Sequence, residues 1–229
     1  MSVKSWNESL PRYLDHTVLR PEATKADVLR LCAEAREQGF VVIFVPPCYV
    51  DEAVAAVAGT NVQVGIPIGL PLGAHSTHAK VTEAMEAVAH GARVLDMVIN
   101  ISRLKSGDYD VVRNDMAAVV QATPGVNHKV ILETCLLTRE EKITACRLAV
   151  EAGMDYVKTS TGFNQAGATV EDVRLMKEAV AGRAKVKASG GIRDWKTTRE
   201  LLEAGADRIG TSASLKILSE WRAALVAVR

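Results

Sequence analysis

The sequence predicts one (β/α)8 barrel. Eight short, β-branched apolar runs alternate with segments of helical period along its 229 residues, and strict β-then-α alternation implies a parallel sheet. One helix-to-strand joint recurs four times, as "EAREQGFVV", "AVAHGARVL", "AVEAGMDYV" and "LLEAGADRI". Eight such units fit a length near the ~250 residues usual for a closed barrel. A doubly wound open sheet is the alternative, but no G-x-G-x-x-G follows the first strand. No linker, low-complexity tract or break in composition divides the chain, so residues 1–229 are expected to form a single domain behind a short N-terminal extension.

The expected strands are Tyr13–Leu19, Val41–Val45, Val62–Ile68, Arg93–Ile99, Lys129–Thr134, Asp155–Ser160, Lys185–Gly190 and Arg208–Ser212. Their β-branched content and flanking turn residues favour strand over helix. Between them, Thr24 with Asp27, Thr138 with Glu141 and Thr169 with Asp172 have the spacing of a capping box, in which a hydroxyl and a carboxylate satisfy the first free N–H groups. Gly39, Gly91, Gly153 and Gly205 follow the helical segments, where a left-handed residue ends a helix.

Composition narrows the partners. Lys plus Arg (28) nearly balance Asp plus Glu (27), so there is no electrostatic case for nucleic acid or an anionic membrane. No apolar segment is long enough to span a bilayer. The N-terminus has no apolar run of the signal-peptide kind. Cys32, Cys48, Cys135 and Cys146 form no C-x-x-C pair, which suits a reducing cytoplasm rather than a disulfide framework.

Barrel active sites lie at the C-terminal ends of the strands. Lys158 falls near the end of strand six, Lys187 at a similar place on strand seven, and Asp96 on strand four. All three can point inward if the registers agree. Desolvation and a neighbouring like charge both favour a neutral amine, and a neutral amine attacks carbonyl carbons. An inward carboxylate can move protons or hold the second ammonium. Snorkelling lysines at strand ends, or a simple ion pair with Asp96, would give the same sequence pattern. The loops "STGF", "SGGIR" and "GTSAS" follow strands six to eight. Their backbone N–H groups and hydroxyls suit a phosphate, though they also read as plain tight turns.

"VKTSTGF", "VKASGGIR", "LDMVIN", "ILETCLLT", "LDHTVLRPEAT" and "GATVEDVRLM" resemble the motifs of the deoxyribose-phosphate aldolase family, in that family's order and from Asp15 to Ser212. The resemblance implies a class I aldolase on a (β/α)8 barrel with no metal or other cofactor. It would reversibly cleave 2-deoxy-D-ribose 5-phosphate to acetaldehyde and D-glyceraldehyde 3-phosphate. Lys158 matches the Schiff-base lysine, Lys187 the lysine that perturbs it, and Asp96 the proton-transfer aspartate. Gly162, Gly190, Gly191, Gly210 and Ser212 match phosphate-loop positions. Asp15 and Thr17 match a first-strand motif near substrate hydroxyls. The partners implied are small phosphosugars and aldehydes and further copies of the chain, as a homo-oligomer.

The chain departs from the family pattern at several places. Val94 stands where glutamate is usual, Phe44 where cysteine is common, and Ser102 and Ala166 where glycines are usual; Pro46 and the "GIPIG" of strand three are also uncommon. An inward carboxylate is thus expected to be missing at Val94, and Phe44 either narrows the pocket or simply packs. His75 and His78 have metal-site spacing but too few companions for zinc, and are expected on a solvated loop or helix start. Glu133 either faces the site or pairs with a lysine, and Cys135 is expected to pack as a small residue. A phosphosugar isomerase using Asp96 as base, and a binding protein without turnover, are the competing functions.

Overall fold

The computed structural model describes residue 6 and residues 9–227. Much of the expected N-terminal extension, residues 1–5, 7 and 8, lies outside the described residues. Of the rest, Trp6 packs edge-on to Trp195, with ring centroids 5.6 Å apart.

Eight parallel strands close on themselves in sequence order: β1 (Leu14–Thr17), β2 (Val42–Phe44), β3 (Gln63–Ile68), β4 (Val94–Val98), β5 (Asn127–Ile131), β6 (Tyr156–Lys158), β7 (Lys185–Ser189) and β8 (Arg208–Thr211). Each lies within or overlaps a predicted run. All eight are shorter than the expected runs, trimmed at one or both ends. β5 starts two residues earlier than expected. Its first residues, Asn127 and His128, look like loop in sequence, yet they pair with Val94 and Leu95.

The helices are α1 (Lys25–Gln38), α2 (Val50–Ala56), α3 (Thr77–Ala89), α4 (Ile101–Lys105), α5 (Tyr109–Ala122), α6 (Arg139–Glu151), α7 (Val170–Val180), α8 (Trp195–Glu203) and α9 (Ser214–Ala227). Thr24 and Thr138 make full capping boxes with Asp27 and Glu141. Thr169 caps α7 with its hydroxyl alone, because the Asp172 carboxylate turns to Lys142 at 2.5 Å. All four joint glycines have positive φ.

Alternation along each strand sends Ile43, Ile66, Leu95, Val130, Val157, Val186 and Ile209 outward into one large apolar layer beneath the helices. The inward residues differ. They form a small separate cluster of Val42, Phe44 and Val94, and around it stand buried charges: Asp15, Asp96, Lys129, Lys158 and Lys187. Since an unpaired buried charge costs several kcal/mol, the barrel interior must be organised around ion pairs.

Candidate active site

Strand register brings the predicted trio together. Lys158 and Lys187 are Cα partners across β6 and β7, so their side chains leave neighbouring strands at one level and in one direction. Each donates from Nζ to the same oxygen, Asp96 Oδ2, at 2.7 Å. Lys187 also pairs with Asp15 Oδ2 at 2.6 Å. Asp15 Oδ1 in turn accepts from Arg208 Nε at 2.5 Å. Lys129 Nζ stands 3.7 Å from Asp96 Oδ1, an oxygen with no hydrogen bond.

These contacts set the protonation. Burial pulls the Lys158 amine down; Asp96 opposes this and Lys187 adds to it, leaving a pKa of about 8. Burial likewise brings Lys129 to about 8, against the pull of Asp96 and Asp15. Burial alone would raise the Asp96 carboxyl, but Lys158, Lys187 and Lys129 outweigh it and hold it near 2. Asp15 is pressed below the usual carboxylate range because Arg208 and the lysines outweigh its burial. At neutral pH this produces two firm carboxylates and two amines that give up a proton easily, of which only Lys158 reaches the cavity above them. An amine of pKa 8 is neutral about 300 times more often at pH 7 than one of pKa 10.5.

Above the trio opens a cavity of about 660 Å³ at the C-terminal end of the barrel. Lys158, Thr17, Gly162, Gly190, Gly191, Gly210 and Ser212 all line it. Lys187 and Asp96 do not; they lie behind Lys158. Asp15 is fully buried and does not line the cavity; its carboxylate pairs with Lys187 and Arg208. Arg193 and Lys216 bring positive charge to the wall beside the glycine loops.

The loops after β6 and β7 are interlocked. A Cβ on Gly167 would lie 2.0 Å from the Gly190 carbonyl oxygen, and the Ala168 N–H donates to Ser189 O at 3.1 Å. Only glycine permits that approach. Glu133, two residues past β5, fastens the same loop. Its carboxylate accepts from Thr161 N at 3.2 Å and Asn164 Nδ2 at 3.0 Å, as well as from the Thr161 hydroxyl. Glu133 sits at φ 56, a left-handed backbone that costs a β-carbon residue ~1 kcal/mol or more. Those three hydrogen bonds hold it there. It therefore neither lines the cavity nor pairs with a lysine.

His75 and His78 are exposed at the start of α3. Among the described residues, no group of three or more His, Cys, Asp and Glu side chains could hold a metal ion. Sequence reasoning did not single out Lys129, Arg208 or Gly167. The first two open strands β5 and β8 in the predicted runs, where a charge reads as a solvated strand end.

The sequence model described as DeoC/LacD family aldolase matches residues 11–220. The deoxyribose-phosphate aldolase of Thermoanaerobacter sp. (strain X514) is 52% identical over 216 residues, 93% of this chain and 97% of the relative. Among solved structures, the aldolase QR15 superposes with a TM-score of 0.91 at 41% identity, covering 96% of this chain and 99% of that one. A tetrameric deoxyribose-phosphate aldolase from Aeropyrum pernix gives 0.89 at 32% identity, covering 95% and 93%.

Proposed function

The chain belongs to the DeoC/LacD family of aldolases, and on that premise we propose that it reversibly cleaves 2-deoxy-D-ribose 5-phosphate to acetaldehyde and D-glyceraldehyde 3-phosphate through a Schiff base on Lys158. The observation that carries this reading is one buried carboxylate oxygen shared by two lysines, of which only Lys158 reaches the cavity.

In the reaction, the neutral Lys158 amine adds to the C1 aldehyde of the open-chain sugar. Loss of water leaves a protonated imine, which draws electrons from C2. The C3 hydroxyl proton passes through water to Asp96, whose Oδ1 has no hydrogen bond, and the C2–C3 bond breaks. Glyceraldehyde 3-phosphate leaves, the enamine carbon takes a proton, and hydrolysis returns acetaldehyde and the free amine. Lys187 keeps positive charge beside Lys158 and so favours its neutral form. The glycine loops, the start of α9 at Ser212–Ser214, Arg193 and Lys216 receive the phosphate, with helix N–H groups suited to an anion. Binding the remote phosphate orients the aldehyde at Lys158.

An isomerase reading needs a carboxylate ready to take a carbon-bound proton. That step does not need two inward lysines on one carboxylate oxygen, whereas imine formation uses the one that reaches the cavity.

Borohydride reduction in the presence of substrate tests the reading. The reduced adduct is expected on the peptide carrying Lys158. Trapping should strengthen as pH rises towards about 8, because the lowered amine pKa places its deprotonation there. An adduct on another lysine, or none, refutes the assignment. The reading extends to the whole chain as a single domain, working as a homo-oligomer in a reducing cytoplasm. The tetrameric relative supports the assembly and four unpaired thiols support the compartment. Light scattering that gave a monomer mass would remove the assembly part.

A further inference from the structure

Phe44 is the aromatic side chain at the centre of the lysine cluster. Its ring lies 3.9 Å, centroid to Nζ, from Lys187, against 5.4 Å from Lys129 and 5.6 Å from Lys158. The ring reaches this position by crossing β3. Phe44, Gly65 and Val94 are partners at one level on β2, β3 and β4. A Cβ at Gly65 would lie 2.7 Å from two ring carbons. Gly65 therefore clears the floor on which the ring lies, and Val94 packs against it on the far side. The uncommon glycine of "GIPIG" and the two departures at positions 44 and 94 form a single arrangement.

That arrangement answers a charge problem. The groups facing the ring and Lys187 are Asp15 from β1, Asp96 from β4, Lys129 from β5, Lys158 and Tyr156 from β6, and Arg208 from β8. No inward titratable side chain comes from β2 or β3. The Tyr156 phenol is pushed up to about 12 by burial and stays neutral. Four cationic side chains thus share two carboxylates, and Val94 supplies no third. An aromatic face carries partial negative charge and attracts a cation within about 6 Å, most strongly where water is excluded.

We propose that Phe44 is a positioning residue, whose ring face fixes the Lys187 ammonium against Asp15 and Asp96 and supplies negative potential where Val94 brings none. The inference rests on the Schiff-base reading above.

The test replaces Phe44 with mono-, di- and trifluorinated phenylalanine, which keeps the ring's shape while draining its negative face, and separately with leucine. The readout is the pH profile of borohydride trapping at Lys158. Weakening the ring leaves the cations less compensated, so the proton that blocks imine formation leaves at lower pH. The acid-limb midpoint should fall stepwise along the fluorinated series, reaching about half a unit to one unit. At a fixed pH on that limb, trapping should rise about 3- to 10-fold. Phe44→Leu should move it the same way. A midpoint unmoved by fluorination, or moved upward, makes the ring mere packing and overturns the inference alone. Failure of the unsubstituted chain to trap any adduct at Lys158 overturns the inference together with the reading beneath it.

Discussion

Lys158→Ala is expected to give no borohydride adduct with 2-deoxy-D-ribose 5-phosphate and to lower kcat/KM by about 10⁴-fold or more. The size follows from what is removed. Without the amine no covalent imine forms, and cleavage loses its electron sink as well as its attachment point, so only binding and the phosphate loops remain to assist. Lys187 is no substitute: it is held between Asp15 and Asp96 and lies off the cavity wall. The variant should fold. Alanine removes one cation from an interior with more cations than carboxylates, and Asp96 keeps its bond to Lys187 at 2.7 Å. The check is peptide mass spectrometry of the reduced mixture, with a denaturation curve to show the chain is intact. A mass gain on the Lys187 peptide would transfer the nucleophile's role to the neighbouring strand.

That Lys158 and Lys187 belong together could be read from the sequence because strand geometry is rigid. Each sits at a similar depth in its β-branched run, and adjacent parallel strands carry like positions to like heights. The helix ends were legible for a similar local reason: Thr24 and Thr138 find their carboxylates three residues on. What closure of the barrel creates was harder to see. Arg208 meets Asp15 only because β8 pairs with β1 across 193 residues. Lys129 reads as the polar start of a strand until β4 and β6 flank it inside a closed ring. Asp15 lies in a first-strand motif, and only the closed ring shows its carboxylate paired with Lys187 and Arg208. The same holds for Glu133: its position at the end of β5 was visible, but not the left-handed turn that aims it at Thr161 and Asn164. In each case the missing information is long-range charge balance, which a local pattern does not encode.

Asp96→Asn separates the chemistry from the scaffold in a way the lysine variant does not. The amide keeps the size of the carboxylate but removes the charge that Lys158 and Lys187 share and that Lys129 faces. Two consequences should part. Imine formation needs only the neutral amine, and removing the anion lowers the lysine pKa further; trapping at Lys158 should persist and its acid limb move to lower pH. Cleavage of C2–C3 needs the proton acceptor, so turnover should fall by about 10²- to 10³-fold, the usual size of a lost general base. Stability should suffer as well, by about 3–5 kcal/mol near neutrality, since three buried ammonium groups lose their common partner. The pH dependence carries a definite sign. In the unsubstituted chain the lowered carboxyl contributes stability above the ordinary value of 3.8 that is lost as pH falls through about 2, and the variant lacks that acid-side loss. On the alkaline side, its lysines are depressed further below their unfolded value. The unfolded chain then binds more protons, and the variant's deficit should shrink as pH climbs from neutrality to about 8, where Lys158 and Lys129 of the unsubstituted chain lose their protons too. Urea denaturation at two pH values, alongside trapping and turnover on the same sample, measures all of this. Should trapping and turnover fall together while stability stays unchanged, Asp96 would be orienting Lys158 and not relaying the proton.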